Sequence, residues 1–298
     1  MPRKGEKMEL EKKKEVLAFL QRYRQECAEI QAIGSREVIA GTECIIHRAK
    51  SERQNMPALF VLHGGSWVGG DAVIIDSLCH TIANSAKVLA VNVNYTKLDV
   101  KPFPNPFEEV CRILQYFSEH SQEYGVDPEK FVLCGHSAGA HIVAGAAVMA
   151  KDRGIKLARQ ILVYPFVDWT GSVDNPLPEW GIAGIDYQEI VRMFFSEIDL
   201  DDVYVSPLVA NADRLCGMAP ADIIICGNDI LRPHGVAYYD KMRKIGVEST
   251  LKEYPAALHG FLEVNRPDFV GESPAKGEEQ AEYARDCEQY IADILKKM

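Results

Sequence analysis

A serine lies between two glycines, at the junction of an apolar run and a run of small residues. The pentapeptide is Gly135-His136-Ser137-Ala138-Gly139; residues 130–134 before it predict a buried strand, and residues 138–150 predict a tightly packed helix. A sharp turn from strand to helix requires glycine on both sides of the serine, because larger side chains would collide there. The N-terminus of a helix favours negative charge. This pattern predicts that Ser137 is a nucleophile that attacks a carbonyl carbon.

A second glycine-containing segment can supply backbone hydrogen-bond donors. His63-Gly64-Gly65-Ser66-Trp67 follows the apolar run of residues 58–62. Consecutive glycines let their N–H groups point toward a ligand, and acyl transfer needs such donors where the oxyanion develops. Since the residue after the nucleophile also contributes an N–H group, we expect Gly64, Gly65 and Ala138 to form an oxyanion hole.

A serine hydroxyl is a weak nucleophile and needs an adjacent base, which in turn needs a carboxylate partner. His259 lies in a loop after the last predicted strand, whereas the competing His234 opens a predicted helix. Asp229 directly follows a predicted strand, at the end of the sheet where sites gather in open α/β folds. Asp168 also follows a strand and is the alternative acid. The order Ser137, Asp229, His259 is the order found in α/β hydrolases.

Short apolar runs that could form strands alternate with amphipathic stretches. The predicted strands are residues 37–47 (a hairpin around Gly41), 58–62, 87–94, 130–134, 159–163, 221–226 and 249–254, and the predicted helices are 8–31, 106–121, 138–150, 234–245 and 277–297. Non-alternating apolar strands separated by helices indicate a parallel sheet covered on both faces. The charged helix 8–31 is expected to lie outside the main core.

Residues 168–205 interrupt this alternation with a long segment rich in aromatic residues, proline and glycine. A connection of this length between two strands is typical of a functional insertion. We therefore predict one domain over residues 1–298, with a small cap from residues 1–35 and 168–205. The candidate substrate contacts are Trp67, His136, Trp169 and Phe194, although the cap aromatics could equally pack against one another.

Composition narrows the class of protein. The chain has 298 residues and a net charge of −10, which argues against nucleic acid as a partner because phosphate binding needs a basic face. A run of about 18 apolar residues would indicate a membrane span, and the sequence has none; no apolar signal core follows the basic N-terminus. We expect a cytoplasmic protein that acts on a small molecule, with a homodimer as an open possibility.

Cysteine usage points away from metal and redox chemistry. Three of the eight cysteines, Cys111, Cys134 and Cys226, lie inside apolar runs and are expected to be buried thiols. A zinc or redox motif would need a C-x-x-C pair, and the sequence contains none. We therefore predict no metal site.

Taken together, the motifs resemble those of the hormone-sensitive-lipase-like group of α/β-hydrolase esterases, over roughly residues 55–265. They are His63-Gly64-Gly65, Phe103-Pro104, Gly135-x-Ser137-Ala138-Gly139, Tyr164-Pro165, Ser206-Pro207-Leu208, Asp229-x-Leu231 and His259-Gly260-Phe261. The resemblance implies the α/β-hydrolase fold with an eight-stranded, mostly parallel sheet flanked by helices. It also implies hydrolysis of carboxylic esters and no cofactor.

The chain departs from that group at three positions. Ser66 stands where a third glycine is usual, His136 where aspartate is usual, and Arg232 where a second aspartate is usual. The motifs are also similar to those of bacterial acetyl esterases and arylformamidases. The prediction is a serine carboxylesterase for short-chain acyl esters, acetyl esters foremost. The alternatives are an arylformamidase or amidase with the same triad, and a non-catalytic ligand-binding module on the same fold.

Overall fold

A single eight-stranded sheet forms the centre of the protein in a computed structural model that describes residues 4–49, 54–173, 197–266, 269 and 273–298. The strands are β1 (Ser35–Ile39), β2 (Thr42–Arg48), β3 (Met56–Leu62), β4 (Leu89–Val93), β5 (Val126–His136), β6 (Arg159–Val163), β7 (Ala221–Asn228) and β8 (Ser249–Leu258). Their order across the sheet is β1-β2-β4-β3-β5-β6-β7-β8. Only the β1–β2 and β2–β4 pairs are antiparallel. The predicted fold class, a mostly parallel sheet, is confirmed.

The central strands are buried along their whole length. Every residue of β3 and β4 is buried, as expected for parallel strands that helices cover on both faces. At the sheet edge, β1 and β2 form the predicted hairpin through Ala40 and Gly41, whose φ angles are 49° and 86°. Two residues with positive φ are typical of the tight turn that matches the twist of paired strands.

Nine helices of the described ranges flank the sheet, together with a 3₁₀ turn at Ala72–Ile75. They are α1 (Lys4–Glu29), α2 (Asp76–Ala86), α3 (Asn105–Glu119), α4 (Ser121–Tyr124), α5 (Ala138–Asp152), α6 (Ala212–Leu215), α7 (Arg232–Lys244), α8 (Phe261–Val264) and α9 (Glu278–Lys296). All five predicted helices are present, with ends displaced by a few residues. Helix α2 was not predicted, although Leu78, Ile82 and Ala86 recur at helical spacing and are buried. Within the described ranges, no helix combines the length and hydrophobicity needed to cross a bilayer.

Helix α1 differs from its prediction. It was expected to lie outside the core, but Val16 and Leu20 are buried in the main hydrophobic cluster with Trp67. The Arg24 guanidinium also donates hydrogen bonds to the Asp99 carboxylate. The apolar stripe of α1 is narrow, and its high charge content conceals a face that packs beside the glycine-rich loop after β3.

The sheet brings three loops to one edge. Parallel strands β5, β6, β7 and β8 are successive neighbours, so their carboxyl ends lie side by side. In open α/β sheets, ligands bind at the carboxyl ends of the strands. The loops after β5, β7 and β8 carry Ser137, Asp229 and His259, respectively.

Candidate active site

Ser137 sits at a strained turn between β5 and α5. Its φ and ψ are 53° and −116°, a conformation that non-glycine residues rarely adopt and that often marks functional sites. Its N–H group donates to the Val163 carbonyl oxygen at 2.9 Å. A side chain at Gly135 would overlap the Gly139 carbonyl, and one at Gly139 would overlap the Leu62 carbonyl. The turn therefore requires glycine at both positions, as predicted.

Ser137, His259 and Asp229 form a hydrogen-bonded chain. His259 Nε2 lies 2.8 Å from Ser137 Oγ, and His259 Nδ1 lies 2.7 Å from Asp229 Oδ2. A carboxylate only accepts hydrogen bonds, so Nδ1 carries the proton and Nε2 accepts from the serine hydroxyl. The side chain of Asp229 is 1% exposed and that of His259 is 22% exposed. The carboxylate is thus shielded from water while the imidazole remains accessible.

The surroundings of His259 favour its charged form. Burial lowers the pKa of the imidazole, but the hydrogen bond and charge of Asp229, with the charge of Glu263, outweigh burial and raise that pKa above its ordinary value. A base that must accept a proton from serine is helped by this stabilisation of the imidazolium. The arrangement can therefore activate Ser137 for attack and return the proton to a leaving group.

Of the three predicted oxyanion donors, Gly64 and Gly65 line the same cavity as Ser137, and Ala138 follows Ser137 in the chain. Among the turn and loop hydrogen bonds of the described residues, none is donated by the N–H group of Gly64 or Gly65. Gly65 has a φ of 127°, and a Cβ atom there would lie 2.5 Å from the Gly69 carbonyl oxygen. Only glycine fits this position, and the oxyanion-hole role of these N–H groups stays a prediction.

A buried polar network that sequence reasoning missed lies beneath this loop. His63 Nδ1 donates to the Gly64 carbonyl oxygen at 2.6 Å, and Lys97 Nζ lies 3.1 Å from His63 Nε2. Lys97 also donates to Asn94 Oδ1 at 3.0 Å and to the Tyr95 carbonyl oxygen at 2.7 Å. Burial lowers the pKa of Lys97 to about 7. The network fixes the orientation of His63 at the start of the glycine-rich loop.

A cavity of about 270 Å³ opens next to the nucleophile. Its walls come from α1, the loop after β3, the elbow and the loop after β8. The lining residues are Tyr23, Gly64, Gly65, Ser66, Gly70, Ile74, Ser137, Tyr164, His259, Gly260, Glu263, Val264 and Phe269. The N-terminal helix α1 therefore reaches the cavity through Tyr23.

Three of the predicted substrate contacts lie away from the cavity that the described residues form beside Ser137. Trp67 and Trp169 are buried against each other, with ring centroids 4.7 Å apart, and do not line the cavity beside Ser137. His136 is fully buried beneath the elbow and points toward Glu263 instead of the cavity. Large aromatic rings and a paired imidazole gain more from the core than from the surface. Phe194 lies outside the described residues.

The two alternative triad members serve other purposes. Asp168 accepts hydrogen bonds from the Thr170 and Ser172 hydroxyls and so closes a local turn. His234 stacks on Phe166 at a centroid distance of 4.4 Å, and burial lowers its pKa to about 4. In the part of the chain that the structure describes, the hydrogen-bond partners of His259 are Asp229 and Ser137, not Asp168 or His234. The sequence-based preference for Asp229 and His259 agrees with the geometry.

Glu263 is a further polar residue of the site that sequence reasoning missed. It lines the cavity, and its two carboxylate oxygens face His136 and Tyr164. The signal was present in the sequence, because Glu263 is an isolated charge in the apolar run Phe261-Leu262-Glu263-Val264 four residues after His259. Tyr164 was noted only as part of a motif.

Comparison with known proteins agrees with this architecture. A family model described as an alpha/beta hydrolase fold matches residues 59–263. The match covers more than half of the chain, so the protein belongs to the α/β-hydrolase family. The resemblance predicted from the motifs is confirmed.

Individual relatives can be named. Esterase LipI of Mycobacterium tuberculosis is 27% identical over 231 residues, which cover 76% of this chain and 71% of the relative. Carboxylesterase NlhH of the same organism is 30% identical over 221 residues, covering 70% and 68%. Among solved structures, an esterase of Pyrobaculum calidifontis matches with a TM-score of 0.76 at 24% identity, covering 95% of this chain and 93% of that one. That last likeness shows the fold alone.

Proposed function

We propose that the protein is a serine carboxylesterase that hydrolyses short-chain acyl esters, acetyl esters foremost, through Ser137, His259 and Asp229. The observation that carries the proposal is the 2.8 Å hydrogen bond between Ser137 Oγ and His259 Nε2 at a strained strand-to-helix turn. The names of LipI as an esterase and NlhH as a carboxylesterase support the ester class.

In the first half of the reaction, His259 Nε2 takes the Ser137 proton while Oγ forms a bond to the ester carbonyl carbon. The carbonyl oxygen becomes an oxyanion, which the N–H groups of Gly64, Gly65 and Ala138 stabilise. When this intermediate collapses, the carbon–oxygen bond to the alcohol breaks. His259 then gives its proton to the departing alkoxide, leaving Ser137 acylated.

Water completes the cycle by the same steps. His259 takes a proton from water, the hydroxide oxygen bonds to the acyl carbon, and a second oxyanion occupies the same donors. Collapse breaks the bond to Ser137 Oγ, which recovers its proton from His259, and the carboxylic acid leaves. Asp229 holds the imidazole in the required tautomer and stabilises its positive form, remaining ionised throughout.

The size of the site supports short acyl groups. The described residues leave a cavity of about 270 Å³ beside Ser137, just below the range of ~300–1,000 Å³ for small-molecule sites. We propose that residues 1–35 and 168–205 form the cap over this cavity; the Tyr23 contact from α1 supports the first of these segments.

A cytoplasmic location is part of the proposal. All eight cysteines are free thiols, and seven of them are buried, which fits a reducing compartment.

The test is hydrolysis of p-nitrophenyl esters from C2 to C12 by the wild type and the Ser137→Ala variant. We expect turnover confined to short chains and a loss of about 10⁶-fold in kcat without the nucleophile. Ser118→Ala, on the exposed side of α3, is the matched control and should retain full activity.

Other outcomes separate the alternatives. Labelling of Ser137 by a fluorophosphonate probe without ester turnover, combined with hydrolysis of N-formyl aryl amides, would indicate the arylformamidase instead. If the folded wild type shows neither labelling nor turnover, the catalytic proposal is wrong and a ligand-binding module remains.

A further inference from the structure

Glu263 is a buried carboxylate in the wall of the catalytic cavity. It lies on the short helix α8, four residues after His259. Glutamate is almost never buried unless it is paired. Here Oε1 lies 3.2 Å from His136 Nδ1, and Oε2 accepts a short hydrogen bond from the Tyr164 hydroxyl.

Both partners lie next to residues of the proposed triad. His136 immediately precedes Ser137 at the end of β5. The Tyr164 ring lies beside the His259 imidazole, with a centroid distance of 4.8 Å. Glu263 therefore joins three segments: the elbow, the end of β6 and the loop that carries His259.

The Glu263 carboxylate also places a negative charge near the predicted oxyanion hole. A Cβ atom on Gly64 would lie 3.6 Å from Glu263 Oε1, so the carboxylate borders the predicted oxyanion hole. A lone negative charge there would oppose the oxyanion. The buried His136 offsets it, because contacts with Cys134 and Glu263 overcome the effect of burial and raise the pKa of the His136 imidazole.

We propose that Glu263 is a positioning residue that locks the elbow to the His259 loop and, alongside Asp229, favours the positively charged imidazole of His259 during acyl transfer. This inference rests on the proposed function. Asp229 binds the Nδ1 side of His259 at 2.7 Å. The Glu263 carboxylate lies in the cavity wall and from there stabilises the positive charge of the His259 imidazole. The positive charge of His136 balances this carboxylate, so no net negative charge remains beside Gly64.

The ionisation states agree with this role. Burial raises the pKa of Glu263, but His136 and Tyr164 outweigh that effect and lower it, so the carboxylate is charged. Burial and the Glu263 charge raise the pKa of Tyr164 far above its ordinary value, so the phenol stays protonated and donates. Among the described residues, Asp229 and Glu263 are the charged groups that raise the pKa of His259.

The decisive variant is Glu263→Gln, which keeps the shape of the side chain and removes its charge. The acid limb of the kcat/KM profile reports the pKa of the base in the free enzyme. Without the Glu263 charge, the His259 imidazolium is less favoured, so the acid limb should move to lower pH by about 0.5 to 1 pH unit.

Two control variants accompany it. Glu263→Asp retains the charge and should keep the acid limb within about 0.2 pH unit of the wild type. Glu253→Gln removes a β8 carboxylate paired with Arg232 and should leave the limb unmoved.

The result is read from two assays. The pH dependence of ester hydrolysis and of fluorophosphonate labelling should show the same displacement, since both require neutral His259. An acid limb that coincides in wild type and Glu263→Gln, or that moves equally in Glu263→Asp, would overturn the inference and leave a packing role. If Glu263→Gln does not fold, His136→Gln takes its place: it removes the cation that faces Glu263 Oε1, so the acid limb should move to higher pH, and an unmoved limb would overturn the inference.

Failure of the proposed function would look different. If the wild type neither hydrolyses esters nor reacts with the fluorophosphonate, the proposed function itself is wrong. If the wild type reacts normally with the fluorophosphonate and the acid limb of Glu263→Gln coincides with that of the wild type, only the role assigned to Glu263 is wrong.

Discussion

Replacing Lys97 with methionine should remove a pH dependence from the stability of the fold. Lys97 is 6% exposed, and its ammonium group lies among His63, Asn94 and Tyr95 beneath the glycine-rich loop. Burial lowers its pKa from 10.5 to about 7. Methionine has a similar length and no charge, so the variant keeps most of the packing and loses the titration.

The direction and magnitude of this pH dependence of the free energy of unfolding follow from proton linkage. Between pH 7 and pH 10.5 the unfolded chain binds a proton at Lys97 that the folded chain does not, so the free energy of unfolding rises with pH. At about 1.4 kcal/mol per pKa unit, a fall in pKa from 10.5 to about 7 corresponds to about 5 kcal/mol in full. About 2 kcal/mol of this difference falls between pH 7 and pH 9.

The assay is urea unfolding of both proteins at pH 7 and pH 9 under reducing conditions, followed by tryptophan fluorescence. The wild type should gain about 2 kcal/mol relative to Lys97→Met between these two pH values. Lys156→Met, an exposed lysine paired with Glu129, should follow the wild type. If wild type and Lys97→Met differ by the same free energy at both pH values, the reasoning about the buried ammonium is wrong.

Two further predictions concern the catalytic machinery. Asp229→Asn should lower kcat by about 10⁴-fold with little change in thermal stability, because asparagine can donate to Nδ1 of His259 and hold the wrong tautomer; a loss below tenfold in p-nitrophenyl acetate hydrolysis would contradict this. Gly65→Ala should lower the melting temperature and abolish turnover, because its Cβ would lie 2.5 Å from the Gly69 carbonyl oxygen. Gly64→Ala is the matched control: its Cβ would make ordinary contacts of 3.4 Å or more, so an equal fall in melting temperature for both variants would refute the steric explanation.

Features that depend on a few adjacent residues could be predicted from the sequence. The bounds of β6 and the start of α5 match the predicted residues 159–163 and 138, because apolar runs and glycines specify local backbone geometry. The burial of Val16 and Leu20 could not be predicted in this way. Their partners lie in the loop after β3, and the charged residues of α1 obscure a narrow apolar stripe.

The placement of aromatic and charged side chains also depended on distant contacts. Trp67 was predicted as a substrate contact, yet its indole N–H donates to His141, which is 74 residues away, and the side chain is buried in the core. Glu263 and Tyr164 are 99 residues apart. No local pattern specifies such a pair, since either residue alone is compatible with an exposed position.

The sequence by itself determined the fold class and the order along the chain of the proposed nucleophile, acid and base. These follow from periodicity, from glycine at a tight turn, and from the rule that side chains after parallel strands meet at one edge. The tertiary structure decided which carboxylates and cations surround those groups. The ionisation of Lys97, His136 and Glu263 depends on burial and on neighbours within a few ångströms, and these arise only when segments far apart in the chain pack together.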